Sequence, residues 1–279
     1  MENDSINAAI SSSQIVERAS DVGIAKAKMK IFPMLLLAFL AGMYIAFGGI
    51  FSVVVATGTS SVWPFGVTRL LQGVAFSLGL ILVVVGGAEL FTGNMLMSIA
   101  WAQKKISTFS VLRNWLIVYI GNFFGSIFLA GLITMGKTYL LSQGDLGLTL
   151  FKIVGTKLNY GFWQALSLGV LCNILVCLAV WLSYSAKNTT DKIFSVLFPI
   201  SAFIAAGFEH SVANMFLIPA AFFIKRYDPF FSSGLPLDLS GFTWPNFLLH
   251  NLIPVTLGNM LGGIVIVGLI YFFSYKKSW

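Results

Sequence analysis

GFEHSVAN, residues 207–214, places a glutamate and a histidine inside a long apolar stretch of the sequence. From Ile193 to Ile224, Glu209 and His210 are the only ionisable residues. A charge at mid-membrane depth is costly and usually faces a cavity or a pathway, so these two residues predict a functional site.

A second stretch, GAELFTGN at residues 87–94, repeats this pattern in the first half of the chain. Both stretches contain glycine, any residue, glutamate, three variable residues, a small residue and asparagine, and both interrupt a long apolar run. Matching interruptions in the two halves of a membrane protein indicate a transport site at the interface between repeats.

The composition is that of an integral membrane protein. Hydrophobic residues make up 57% of the 279 residues and charged residues 10%, against about 25% charged residues in an average soluble domain. The mean hydropathy is +0.88. We expect one transmembrane domain at residues 33–279, preceded by a cytoplasmic segment at residues 1–32. The first apolar run, residues 33–56, is too long for the core of a removable signal peptide.

Six apolar runs predict six transmembrane helices of an all-α fold. They are residues 33–56, 70–102, 114–136, 160–184, 193–224 and 250–275. A run of about 32 residues would form a helix of about 48 Å, whereas the hydrocarbon core is about 30 Å thick. The second and fifth runs are this long, so we expect each to break at its glutamate. Broken backbone within a bilayer must be buried in protein or line a cavity.

The order of the runs indicates an inverted repeat. GNFFG at residues 121–125 in the third run matches GNMLG at residues 258–262 in the sixth. If runs one to three correspond to runs four to six, the odd number of crossings makes the two units, about residues 33–136 and 160–275, antiparallel. Placing the N-terminus inside assigns 11 Lys and Arg residues to the inner segments and 6 to the outer ones. This bias predicts that both termini are cytoplasmic.

The N-terminal segment carries a loose helical pattern of apolar residues before the first run. This pattern predicts a short interfacial helix, which either anchors the segment or plugs a pore beneath it. The net charge of +7 comes from cationic residues beside apolar runs, where they orient loops and attract anions. We therefore expect no nucleic-acid partner.

The ionisable residues at the two interruptions have two possible roles each. His210 is either a core histidine bonded to backbone or, because it lies at a predicted break, a group that handles a small anion or its proton. Glu89 and Glu209 stand where a second half-helix begins, so their carboxyls can accept the free N–H groups of that helix. The alternative is a proton relay. Gly87 and Gly207 are expected to permit the breaks.

Other residues near the breaks have two possible interpretations, one as packing residues and one as functional residues. The apolar ones either pack or form a constriction of a pore. They are Phe76, Leu80, Leu90, Phe91 and Phe203. The polar ones either bond neighbouring helices or contact a permeant ion. They are Thr92, Asn122, Asn173, Asn214 and Asn259.

Nothing in the sequence predicts an enzyme. Cys172 and Cys177 are five residues apart on one predicted helix, so we expect free thiols and neither a disulfide nor a metal pair. Motifs of nucleotide, metal or acyl-transfer chemistry do not occur. We expect no cofactor and no metal.

Three stretches resemble signatures of the formate/nitrite transporter family. GGAELFTGN at residues 86–94 is similar to its first signature, and GVLCNILVCLA at residues 169–179 to its second. GFEHSVANM at residues 207–215 is similar to its central-histidine loop. NLIPVTLGN at residues 251–259 extends the resemblance into the last run. It thus covers the chain apart from the N-terminal segment and the outer loops.

The resemblance implies an aquaporin-like fold, assembled as a homopentamer with one pore in each protomer, in a bacterial cytoplasmic membrane. It implies that His210 is the central proton-exchanging residue, that Thr92 faces it, and that Asn173 and Asn214 line or brace the central chamber. The five apolar residues near the breaks would form the constrictions. Lys157, in the loop before the fourth run, is similar to the lysine with which the family attracts anions.

The implied cargo is a small monovalent anion, since formate, nitrite and hydrosulfide members share this core. ATGTSSVWPFG at residues 56–66 and NLIPVTLGN look most like the formate branch, so we expect formate, carried passively or with a proton. A neutral-solute channel of the aquaporin class would share the fold, but the paired Asn-Pro-Ala boxes are absent from the breaks. A membrane enzyme or a structural protein would leave the paired interruptions without a purpose.

Overall fold

The computed structural model describes residues 10–59 and 62–275, and in these ranges the chain consists of helices and the loops between them. An N-terminal helix, α1 (Ser12–Lys28), precedes the apolar runs. The first three runs form α2 (Ile31–Ala56), α3 (Phe65–Gly86), α4 (Met97–Ala102) and α5 (Thr108–Met135). The second half forms α6 (Asp145–Leu158), α7 (Phe162–Ser185), α8 (Thr189–Ala205), α9 (Ser211–Tyr227), α10 (Pro229–Ser233) and α11 (Trp244–Ser274).

Five of these described helices, α2, α3, α5, α7 and α11, are long and apolar enough to cross a membrane. The fifth run is divided between α8 and α9, of 17 residues each, which are joined at residues 206–210. The second run leaves its helix at Gly86 and resumes as a 3-10 turn, Gly93–Leu96, that leads into α4. The predictions of an all-helical membrane fold and of breaks in runs two and five are confirmed. The predicted cytoplasmic C-terminus, residues 276–279, lies outside the described residues.

Glycine ends the helix at each break. Gly87 and Gly207 have φ values of 73° and 77°, in the left-handed region that a residue with a Cβ adopts only at a cost. Directly after each glycine, a backbone N–H donates at 3.0 Å to the carbonyl oxygen five residues earlier. This bond satisfies a carbonyl at the end of the helix and turns the chain away from the helix axis. Both breaks therefore begin in the same way.

Other glycines bring neighbouring helices into backbone contact. A Cβ added at Gly125 on α5 would overlap the carbonyl oxygen of Phe39 on α2. A Cβ added at Gly258 on α11 would overlap the carbonyl oxygen of Leu166 on α7. Lipid supplies no hydrophobic force between helices, so this close packing is a main source of their association. The helix that precedes the first break, α3, packs against α2 and α8.

The N-terminal helix is also packed against the membrane helices. Ser11 and Gln14 form a capping box at its start. Its buried face includes Ile15, Val16 and Ala19 and contacts α4, α5 and α7. The predicted helix before the first run is confirmed. Its contacts make it part of the same packed unit as the transmembrane helices.

We expect Gly125→Ala to destabilise the protein by about 1–3 kcal/mol or more, because the added methyl group forces α2 and α5 apart. Gly131→Ala is the matched control, since a Cβ at this position on the same helix meets nothing within 4 Å. Thermal unfolding of the purified variants in detergent provides the comparison. Equal melting temperatures for the two variants would contradict this account of the packing.

Candidate functional site

An asparagine from a neighbouring helix holds the first break. The side chain of Asn122 on α5 donates to the carbonyl oxygens of Ala38 at 2.8 Å and Glu89 at 2.9 Å. Its Oδ1 accepts the N–H of Phe91 at 2.9 Å. The amide is fully buried and supplies backbone groups with the hydrogen bonds that lipid cannot.

Asn259 on α11 holds the second break in the same manner. It donates to the carbonyl oxygens of Gly169 at 2.8 Å and Glu209 at 2.9 Å, and it accepts the N–H of Ser211 at 2.9 Å. Of the two roles open to these asparagines, bonding between helices accounts for their contacts.

Each break also contains a buried carboxylate bound by a lysine and an asparagine. At the first break, Glu89 accepts Lys26 Nζ at 2.5 Å and Asn94 Nδ2 at 2.8 Å. Asn94 Nδ2 donates in turn to Asn114 Oδ1 at 2.8 Å. The lysine comes from α1, outside the apolar runs. The charge of Glu89 is thereby compensated inside the protein.

The second break repeats these contacts with different elements. Glu209 accepts Lys157 Nζ at 2.5 Å and Asn214 Nδ2 at 2.7 Å, and Asn214 Nδ2 donates to Asn251 Oδ1 at 2.8 Å. Here the lysine comes from α6. The two breaks therefore share the same arrangement of one glutamate, one lysine and two asparagines.

The prediction that Glu89 and Glu209 cap the following helices is wrong. Among the described residues, the carboxylates of Glu89 and Glu209 accept hydrogen bonds from lysine and asparagine side chains and not from the N–H groups of the following helix. A lysine within reach offers charge as well as a proton donor, so it binds a buried carboxylate more strongly than a neutral N–H does. The N-terminus of α9 is capped instead by His210.

His210 is almost fully buried, with 2% of its surface exposed. Its Nδ1 accepts the N–H of Ala213 at 3.1 Å, and its Nε2 lies 3.0 Å from Thr92 Oγ1. Phe203 is stacked beside the ring, with 6.0 Å between centroids. Because Nδ1 is an acceptor, a neutral ring carries its proton on Nε2, towards Thr92. The structure thus joins the two breaks through one histidine and one threonine.

Two cavities approach this centre from opposite sides of the apolar residues. The Lys157 cavity, about 190 Å³, is lined by Lys157, Arg69, Phe76, Phe203, Glu209 and His210, among others. The Lys26 cavity, about 390 Å³, is lined by Lys26, Leu80, Glu89, Leu90 and Lys192, among others. Each cavity therefore combines cationic side chains at its wall with apolar side chains towards the centre.

Three other predicted site residues, Phe91, Asn173 and Asn214, do not line these cavities. Phe91 packs edge-on against Tyr119, 4.8 Å between centroids, and lines neither of the two cavities. Asn173 donates to the carbonyl oxygens of Thr92 at 3.2 Å and Asn259 at 2.6 Å. The structure places it as a brace on the backbone at the first break. Asn214 is bound within the carboxylate cluster.

Sequence reasoning missed Lys26, Asn114 and Asn251. A signal for the asparagines was present, because NWLIVYIGN at residues 114–122 and NLIPVTLGN at residues 251–259 share two asparagines at the same separation. The lysines carry no such signal. Lys26 precedes its break on an N-terminal helix and Lys157 on a loop helix, and their flanking sequences do not match.

Comparisons with known proteins agree with this architecture. The sequence profile described as "Formate/nitrite transporter" matches residues 13–273. The chain is 40% identical to "Formate channel FocA" of Escherichia coli K12, covering 93% of this chain and 92% of that protein. It is 38% identical to the "Probable formate transporter" of Methanothermobacter thermautotrophicus, over 93% of this chain and 94% of that protein.

Solved structures show the same fold. The chain matches a "Pentameric formate channel with formate bound" with a TM-score of 0.83 and 44% identity, over 88% of this chain and 98% of that one. It also matches an "FNT family ion channel" with a TM-score of 0.80 and 27% identity, over 93% of this chain and 98% of that one.

The broken helices, their buried charge clusters and the two cavities define an α-helical membrane transport protein. The profile match, the identities and the shared fold then specify which one. The chain belongs to the formate/nitrite transporter family.

We expect Lys157→Met to destabilise the protein by about 3 kcal/mol, because it leaves the carboxylate of Glu209, which is 2% exposed, without its cation. The double variant Lys157→Met with Glu209→Gln should recover part of this loss, since it removes the unpaired charge. Melting temperatures in detergent for the single and double variants give the coupling between the two residues.

The pair formed by Lys105 and Glu17 is the matched control, since its side chains are 39% and 61% exposed. The corresponding Lys105→Met and Glu17→Gln changes should cost about 0–1 kcal/mol. A coupling between Lys157 and Glu209 no larger than that of the control pair would contradict the role given to the buried pair.

Proposed function

We propose that the protein carries formate across a membrane through a path in each protomer that runs from one cavity to the other past His210. The relatives described as formate channels and the structure with formate bound support formate as the cargo. They favour it over nitrite and hydrosulfide. The pentameric assembly of that same structure supports a homopentamer for this chain.

The main observation behind this proposal is that only a short apolar segment separates the two cavities. Phe76 lines the Lys157 cavity and Leu80 lines the Lys26 cavity, and the two residues are one turn apart on α3, about 6 Å along the helix. Phe203 crosses Phe76 edge-on, 5.5 Å between centroids. An anion entering either cavity therefore meets only a short apolar segment.

This apolar segment determines the form in which formate crosses. A bare carboxylate loses its hydration on entering such a segment at a cost of several kcal/mol or more, whereas neutral formic acid carries no charge and loses much less. The cations of each cavity attract the anion, and a proton taken up near the centre allows it to pass. His210 lies at that point: as an imidazolium it gives one proton to the carboxylate and returns to the neutral ring, which then takes its next proton from a cavity. Thr92 Oγ1, 3.0 Å from Nε2, orients the ring.

The two halves act as inverted repeats in this proposal. The support is that the breaks at residues 87–94 and 207–214 have the same glycine geometry and the same sets of hydrogen bonds. His210 of the second half stands where Leu90 stands in the first. The site is therefore symmetric in its scaffold and asymmetric in its proton chemistry.

We expect His210→Ala to lose most formate uptake driven by a proton gradient, by about tenfold or more. His210→Asn is the sharper variant, because asparagine can cap α9 as Nδ1 does but carries no titratable ring. Uptake is measured in proteoliposomes at several external pH values, with the pentamer checked by native mass measurement. If His210→Asn keeps wild-type uptake with the same pH dependence, His210 has only the capping role.

The orientation follows from the lysine and arginine bias, and we propose that the N-terminus is cytoplasmic in a bacterial inner membrane. Ser12 and Ser233 lie on opposite sides in this arrangement, and both are exposed. Because Cys172 and Cys177 are buried, single cysteines at these serines can be labelled without background. In intact cells an impermeant reagent should label Ser233→Cys and not Ser12→Cys. The reverse pattern would invert the orientation.

A further inference from the structure

The Lys157 cavity has a second cation in its wall. Arg69 lies near the start of α3, and its side chain reaches the carboxyl-terminal end of α8. Its Nε donates to the carbonyl oxygen of Ala205 at 3.1 Å, and Nη2 donates to that of Ile204. Nη1 donates to Gln72 Oε1 at 3.2 Å. These contacts hold the guanidinium in one place at the cavity wall.

The two cations of this cavity differ in their charge balance. Lys157 is paired with Glu209 at 2.5 Å, so its charge is compensated locally. Arg69 forms no ion pair with a described carboxylate; it donates to two backbone carbonyls and one neutral amide. The uncompensated positive charge of the cavity is therefore on Arg69.

Arg69 also retains hydrogen-bonding capacity. A guanidinium has five N–H groups, and the three contacts above use three of them. The side chain is half-buried and lines the same cavity as Phe76 and His210. The other two N–H groups have no acceptor among the described residues and remain for a carboxylate that enters this cavity. A guanidinium matches the two oxygens of a carboxylate.

We propose that Arg69 is the anion-recruiting residue of the Lys157 cavity, which binds the entering carboxylate before it reaches the apolar segment. This inference rests on the proposed transport of a small anion. It assigns the pair of Lys157 and Glu209 mainly to holding the break, and it assigns the capture of the cargo to the neighbouring arginine.

A purely structural role for Arg69 makes a different prediction. Its contacts with Ile204 and Ala205 stabilise the carboxyl-terminal end of α8, where a cation is favourable. If that were its whole role, any replacement would loosen the loop that carries His210. The melting temperature and the maximal rate would fall together, and the concentration dependence of uptake would not change.

The test compares Arg69→Gln and Arg69→Lys in right-side-out membrane vesicles, with formate added outside. We expect Arg69→Gln to raise the KM for formate entry by about tenfold with a small effect on the maximal rate, because it removes the local field that concentrates the anion. Arg69→Lys keeps the charge and should stay within about threefold of the wild type. Raising the ionic strength with an impermeant salt should weaken wild-type entry more than entry in Arg69→Gln.

Arg226→Gln is the matched control. It removes the same charge from an exposed arginine at the end of α9, which does not line the Lys157 cavity, so its KM should equal that of the wild type. An unchanged KM in Arg69→Gln would overturn the inference. So would equal losses of maximal rate and melting temperature in Arg69→Gln and Arg69→Lys. A wild type that carries no formate contradicts the proposed function as a whole, whereas a wild type that carries it beside an unaltered Arg69→Gln contradicts only the assignment of Arg69.

Discussion

The hydrocarbon of a bilayer offers no hydrogen bonds, and this constraint determines how the centre of the protein is built. Two helices are interrupted there, and each interruption frees backbone N–H and carbonyl groups. Asn122 and Asn259 bind those groups with both donors and the acceptor of their amides. Because each amide also bonds a neighbouring helix, the cavities keep their shape only while α2, α5, α7 and α11 stay packed.

His210 likewise supplies a hydrogen bond to backbone that the break leaves free. Its Nδ1 caps α9 by accepting the N–H of Ala213, so a second proton on the ring would place two donors face to face. The ring can become an imidazolium only after that hydrogen bond is broken. The proton exchange that we propose at this position therefore requires a movement of the ring or of the turn that carries it. Such a movement would change the contact between Nε2 and Thr92 Oγ1 of the other break.

Much of the fold was predictable because it depends on local signals. Apolar run length and the paired glycines at Gly87 and Gly207 located the helices and their breaks. The partners of Glu89 and Glu209 were not predictable, because Lys26 and Lys157 lie far from them in the chain and only the packing of α1 and α6 brings them close. The direction of the Phe91 side chain, whose ring packs against Tyr119 on α5, was not predictable either. Periodicity does not contain that information.

The two buried ion pairs have a consequence for biosynthesis. In both halves the lysine precedes its glutamate in the chain: Lys26 precedes Glu89, and Lys157 precedes Glu209. A chain is made from its N-terminus, so each cation leaves the ribosome before the carboxylate that it will neutralise. In both halves the linear order therefore allows the ion pair to form as soon as its glutamate has been synthesised.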